Sequence, residues 1–228
     1  MSAALPGLLD EAERRRNERF VVARPRRLHA AAHAVARLTI AARVGSSPSQ
    51  VQIARAATGK PFLVEPASTL TFSIAHGGSL AVCAIADGHQ IGIDVEPVDR
   101  RELTPRLLEG LLAPCETRRL AGLTGALLQE TLVGLWTGKE AIAKAHGAGL
   151  SLPLASFAVP EGDGAVAMAG VPGAAPPIWR LHRLRPDGRH RLALALALPP
   201  AAPLEIRVAD AGSLVSYHAV RERTAGSA

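Results

Sequence analysis

Two carboxylates stand two residues apart in the apolar run Ile91-Gly92-Ile93-Asp94-Val95-Glu96. On a strand, a period of two turns Asp94 and Glu96 to one face and leaves Ile93 and Val95 on the other. Neighbouring carboxylates repel, so the pair makes sense where a hard cation such as Mg²⁺ sits between them and takes their oxygens. The plainer alternative is a strand end whose acids enter solvent at Pro97. A second set lies in Trp136-Thr137-Gly138-Lys139-Glu140-Ala141-Ile142-Ala143-Lys144. Trp136, Glu140 and Lys144 recur every four residues and so stack on one helix face. Read structurally, Glu140 and Lys144 are a helix ion pair worth about 0.3–0.5 kcal/mol. Gly138, inside the helix, costs roughly 1 kcal/mol relative to Ala, which hints at a close approach there. His76 precedes Gly77-Gly78 at the end of an apolar run, where an imidazole and a bare backbone suit a phosphate. Its structural reading is a strand-end residue, and that of Lys60 in Gly59-Lys60-Pro61 is a solvated turn lysine.

These residues need elements to hold them. Residues 10–43 read as helical, Ala-, Arg- and Leu-rich with Pro25 as the break, and Gly45-Ser46-Ser47-Pro48 ends them. A short strand is expected over 50–54 and a turn at Gly59-Lys60-Pro61. Strands follow over 70–75 and 80–86, joined by His76-Gly77-Gly78-Ser79; Asp87-Gly88 turns the chain into a third strand over 91–95. A helix is expected over 102–122 with a break at Pro114, and another over 129–146, closed by Gly147 and Gly149. Strand-like runs return at 157–159, 165–169, 178–184 and 190–198. In the last of these, Leu/Ala content favours helix, while the strict period of two and Pro199 favour strand. Helix then strands thus occurs twice, an α/β (α+β) pattern in two halves, residues 1–98 and 99–209. A polar tail, expected to fray, covers 210–228.

Composition narrows the class. The chain has 228 residues, 48% hydrophobic and 20% charged, too apolar for a disordered protein and long enough to bury a sizeable core. Aromatic residues are only 3%, so that core must be aliphatic. Cys83 and Cys115 offer neither a disulfide framework nor zinc spacing, which fits a reducing cytoplasm. No signal-peptide core forms before Asp10 and Glu11, and the apolar run 192–198 is too short to span a bilayer. The net charge of +6 suits an acidic partner or a phosphorylated ligand. Arg14, Arg15, Arg16, Arg19, Arg24, Arg26 and Arg27 crowd the start; most read as the wet face of a helix, with one or two left for phosphate.

Taken in order, Gly59-Lys60-Pro61, Phe72-Ser73-Ile74-Ala75-His76-Gly77, Ile91-Gly92-Ile93-Asp94-Val95-Glu96 and Leu135 to Lys144 resemble the 4′-phosphopantetheinyl transferases, and more closely the Sfp-type branch that activates peptide and polyketide synthetases. The resemblance runs from about Arg14 to about Leu198. It implies two similar α/β halves in a pseudo-twofold arrangement with coenzyme A in the cleft between them. The reaction implied is transfer of the phosphopantetheine arm of coenzyme A to a serine of an apo acyl or peptidyl carrier protein, releasing adenosine 3′,5′-bisphosphate. It further implies Asp94, Glu96 and Glu140 as Mg²⁺ ligands, Glu140 or a metal-bound water as proton acceptor, and Lys144 at the leaving phosphate. Lys139, Lys60 and His76 match contacts to coenzyme A phosphates, Arg16 and Arg27 fall near contacts to the 3′-phosphate, and Glu116 matches a further catalytic acid. A monomer is the family expectation. Three positions depart from the pattern: Ala75 where serine is common, Gly138 where a bulky residue is common, and Leu132-Val133 in place of an aromatic pair.

Two other readings are weaker. A two-metal nuclease also starts from Asp-x-Glu on a strand, but it needs further aspartates on a later helix, and Tyr217 stands in a polar tail without such a partner. A basic nucleic-acid-binding module would explain the arginines, yet too few aromatic residues are present to stack bases.

Overall fold

The computed structural model describes residues 5–168, 178–199 and 202–210. Helix α1 (Glu11–Glu18) is capped by Asp10, whose carboxylate accepts from Glu13 N at 2.8 Å while the Glu13 carboxylate accepts from Asp10 N at 2.9 Å. Helix α2 (Ala23–Val44) ends at Gly45, which has φ +73°. The break in the expected 10–43 helix is therefore at 19–22 and not at Pro25. Pro25 sits in the first turn of α2, where its missing N–H has no partner to lose.

Strands β1 (Gln52–Arg55) and β2 (Pro61–Glu65) pair antiparallel across the Gly59-Lys60 turn. β2 was not expected, because its short PFLVE run is half exposed and lacks clean alternation. Strands β3 (Leu70–Gly77) and β4 (Leu80–Asp87) form a hairpin. Strand β5 (Ile91–Pro97) leaves that hairpin and pairs with the last strand among the described residues, in a four-stranded antiparallel sheet of order β5-β8-β7-β6. Its other members are β6 (Gly164–Ala167), β7 (Ile178–Leu184) and β8 (His190–Ala197).

The helix expected over 102–122 is largely absent. Residues 101–112 are turns, and only α3 (Pro114–Leu120) is helical, with Pro114 in its first turn. The Leu103, Leu108 and Leu112 side chains drop from those turns into the core. Helix α4 (Gly125–His146) starts four residues earlier than expected and closes at Gly147, φ +82°. Residues 157–159 are an extended loop rather than a strand. The expected strand 165–169 is β6, its last residue lying, like 211–228, outside the described residues.

Strand β8 explains its own Leu/Ala alternation. Leu192, Leu194 and Leu196 join Ile91, Ile93, Val95 and Ala75 in one core layer, while Ala193 and Ala195 face α4 in another. On β5, Gly92 lies opposite Ala195 and Asp94 opposite Ala193. The face carrying the acids is thus lined with the smallest residues available. A Cβ on Gly92 would lie 2.0 Å from Ala141 O and 2.3 Å from Ala145 N, so α4 rests directly on the β5 backbone. A third layer packs α2 on the hairpin through Ala36, Ile40, Ala41 and Phe72. No helix among the described residues is long and apolar enough to cross a membrane.

Candidate active site

Because α4 seats so closely, its one-face series Trp136, Glu140, Lys144 meets the acids of β5. The Lys144 ammonium donates to Asp94 Oδ1 at 2.7 Å, and Trp136 Nε1 donates to Glu96 Oε1 at 3.2 Å. Arg100 pairs with the same Glu96 oxygen. Asp94 is buried, and its Oδ2 has no hydrogen-bond partner. Burial, and then the charge of Asp94, push the Glu96 carboxyl up to about 7, and the same two causes raise Glu140.

A cavity of about 500 Å³ opens between α2, β3 and α4. Trp136, Glu140 and Lys144 wall one side; Lys60 and His76 stand on another, with Arg55, His33 and His29. Asp94 and Glu96 form no wall of it and reach it through Lys144 and Trp136. Lys60 donates to Ala145 O at 2.7 Å and to Gln90 Oε1 at 2.8 Å, tying the β1–β2 turn to the end of α4; burial lowers its pKa. His76 lies open at the mouth, yet partial desolvation and then the Lys144 charge hold its imidazole below the ordinary value.

Four expected contacts are placed elsewhere. Lys139 and Glu116 form an ion pair at 2.7 Å with 1% and 0% of their side chains exposed. Lys139 also donates to Leu154 O and Phe157 O, both at 2.7 Å, so all three of its N–H groups are used. Glu116 accepts from Ala113 N at 2.7 Å and Val159 N at 2.8 Å. The pair fastens α3, α4 and the 154–159 loop, and neither residue lines the cavity. Arg16 and Arg27 are exposed and also line none of it. Arg16 is still near enough that its charge, after burial, lowers the pKa of Arg55.

Arg55 and His33 are the cavity residues that sequence reasoning missed. Arg55 Nη2 lies 3.1 Å from His33 Nε2, and His33 Nδ1 lies 2.7 Å from Glu13 Oε1. Glu13 accepts in turn from Arg37 Nε at 2.7 Å. Burial raises Glu13, but the bonds from His33 and Arg37 outweigh it and bring its carboxyl down to about 2. His29, its ring tilted against that of His33 with centroids 4.5 Å apart, is lowered to about 4 by burial and the charge of His33. The only sequence signal was a histidine pair spaced by four in α2, with nothing to say that it faced a cavity.

Among the described residues, no three His, Cys, Asp or Glu side chains converge as a ready metal cluster. Asp94 is turned to Lys144 and Glu96 to Arg100. The donor set nevertheless fits a hard cation: the buried Asp94, which has an unpartnered oxygen, raises the pKa of both Glu96 and Glu140.

Comparison with known proteins places the chain in a family. Residues 90–197 match the model of the 4′-phosphopantetheinyl transferase superfamily, and residues 3–87 match that of a 4′-phosphopantetheinyl transferase N-terminal region. The chain is 30% identical to the 4′-phosphopantetheinyl transferase HetI of Nostoc sp. PCC 7120, over 85% of this chain and 80% of that protein. It is 32% identical to a 4′-phosphopantetheinyl transferase of Bacillus subtilis, over 68% and 67% of the two chains. Among solved structures, a holo-(acyl-carrier-protein) synthase from Bacillus anthracis in complex with CoA (3′,5′-ADP) is similar over 47% of this chain and 93% of its own, with 21% identity and a TM-score of 0.36. By these matches the chain belongs to the 4′-phosphopantetheinyl transferase superfamily and is an enzyme of that class.

Proposed function

We propose that the protein transfers the phosphopantetheine arm of coenzyme A to the serine hydroxyl of an apo carrier protein, as an Sfp-type enzyme. The observation that carries this reading is that Lys60, His76, Lys144 and Glu140 all line one and the same cavity. The serine oxygen attacks the phosphorus bearing the pantetheine arm, and the P–O bond to adenosine 3′,5′-bisphosphate breaks. Glu140, kept more basic than an ordinary carboxylate by burial and Asp94, takes the serine proton. Lys144 stabilises the oxyanion that leaves, and Lys60 and His76 hold the phosphates in place. Asp94, Glu96 and Glu140 would hold Mg²⁺, which when bound neutralises the growing pyrophosphate charge.

The Sfp-type reading is supported by two transferase models matched in tandem on one chain, and by 33% identity to Sfp of Bacillus subtilis over 39% of this chain and 38% of Sfp. We assign the halves to residues 1–98 and 99–209, with a polar tail over 210–228. The net charge of +6 favours a carrier with an acidic surface by steering, and the enzyme acts as a monomer in the cytoplasm.

Intact-mass analysis of an apo carrier protein incubated with the enzyme, coenzyme A and Mg²⁺ tests the reading. A gain of one phosphopantetheine arm, lost on adding chelator, is the expected result. No gain on any of a panel of carriers, together with no binding of coenzyme A, would overturn it.

A further inference from the structure

A second cavity, of about 510 Å³, lies on the far side of α4 from the candidate active site. It is walled by Thr131 and Gly134 of α4, not by the Trp136–Glu140–Lys144 face. We propose that it is a separate binding site for a small phosphate-bearing molecule, with the Arg183 guanidinium at its base and Arg119, Arg185 and Arg191 around it.

The arrangement of charge carries the argument. Four arginines line the cavity against two carboxylates, Glu130 and Glu161. Glu130 pairs with Arg191 at 2.5 Å and Arg185 at 3.1 Å, and Glu161 pairs with Arg119 at 3.1 Å. Among the described residues, that leaves Arg183 as the lining arginine with no carboxylate within ion-pair distance; Asp163 and Glu116 act on its guanidinium only through their charge. Its Nη1 donates to Gly134 O and its Nη2 to Pro160 O at 2.8 Å, while its Nε is buried and unpartnered. Asp163, just before β6, accepts instead from the Arg183 backbone N at 2.7 Å and pairs with His182. A guanidinium serving only as a strut between a helix and a loop carries an unneeded charge, and burying that charge is costly. A phosphate, which several planar guanidinium groups bind through paired hydrogen bonds, removes the cost.

Gly138 meets this side chain on α4. A Cβ there would lie 2.8 Å from Arg183 Nη2 and 2.9 Å from Nη1, so in this position the guanidinium packs against bare helix backbone. The close approach that this mid-helix glycine hinted at is thus on the side of α4 away from the expected chemistry. Leu123, Leu127 and Leu184 complete the wall and leave room for an apolar portion beyond the phosphate.

The test is a titration of the full-length protein with inorganic phosphate at constant ionic strength, followed by amide and arginine Nε–H resonances. Saturable shifts at Gly134, Thr131 and the Arg183 Nε–H are expected, separate from any at Lys60 and His76. Arg183→Gln should weaken binding at this site at least about tenfold. Arg185→Gln, which changes an exposed side chain and leaves the fold intact, should weaken it about threefold. Shifts confined to the Lys60 and His76 region, no saturable shift at all, or unchanged affinity in folded Arg183→Gln would each overturn the proposal. Should Arg183→Gln fail to fold, the wild-type Nε–H resonance and Arg185→Gln decide the matter. The outcome does not depend on whether the enzyme transfers phosphopantetheine.

Discussion

Lys144 reaches Asp94 at 2.7 Å because Gly92, one strand period before that aspartate, lets α4 lie on the backbone of β5. Gly92→Ala would drive a methyl group into Ala141 O and Ala145 N, neither of which can move without the helix. A loss of about 1–3 kcal/mol is expected in urea unfolding, together with lost transfer activity as Lys144 withdraws. Gly134→Ala is the control: no atom lies within 4 Å of its Cβ, so it should raise stability by roughly 0.5–1 kcal/mol.

Glu140→Ala separates chemistry from folding. Glu140 lines the cavity and is raised by burial and by Asp94, so its removal relieves repulsion and takes away nothing the fold needs. Transfer measured by intact mass should fall by about 10²-fold or more, with the unfolding midpoint held or slightly raised. Near wild-type turnover would refute the assignment of Glu140.

The Glu116–Lys139 pair calls for the opposite result. Glu116→Ala leaves an ammonium buried at 1% exposure with no counter-charge, which should cost about 3–5 kcal/mol. The double variant Glu116→Gln/Lys139→Met should be more stable than Glu116→Gln alone and should keep its transfer activity. A folded but inactive double variant would restore a catalytic role for Glu116.

Acid should weaken the N-terminal helices in two stages. His29 has a folded pKa of about 4, below its ordinary 6.5, so the unfolded chain binds more protons and stability falls as pH drops from 6.5 towards 4. Glu13, at about 2 against an ordinary 4.5, contributes stability that is present above 4.5 and lost as pH falls through 2, on the order of 3 kcal/mol. Stability measured against pH should lose its upper limb in His29→Gln and its lower limb in Glu13→Gln. An unchanged profile in either variant would contradict the burial of that group.

Electrostatic steering of the carrier predicts a salt effect. Raising ionic strength should weaken carrier affinity more than coenzyme A affinity, because a screened approach between surfaces loses more than contacts within a cavity. Parallel titrations of both ligands at several salt concentrations would measure this, and equal losses would rule steering out.

The sequence by itself determined what depends on local period and type. Alternation put Asp94 and Glu96 on one face of β5, and four-residue spacing put Trp136, Glu140 and Lys144 on one face of α4. The Leu/Ala alternation made 190–198 a strand with one large and one small face. Tertiary structure alone decided that the small face receives α4, so that Lys144 and Asp94 meet across fifty residues. It also turned Glu116 and Lys139 into a buried fastening, because ordinary helix positions do not reveal that both side chains point into the core. Likewise it brought His33 and Arg55 together at the cavity wall, with Glu13 of a third element behind His33. Such contacts depend on how elements pack, and no local pattern records the packing.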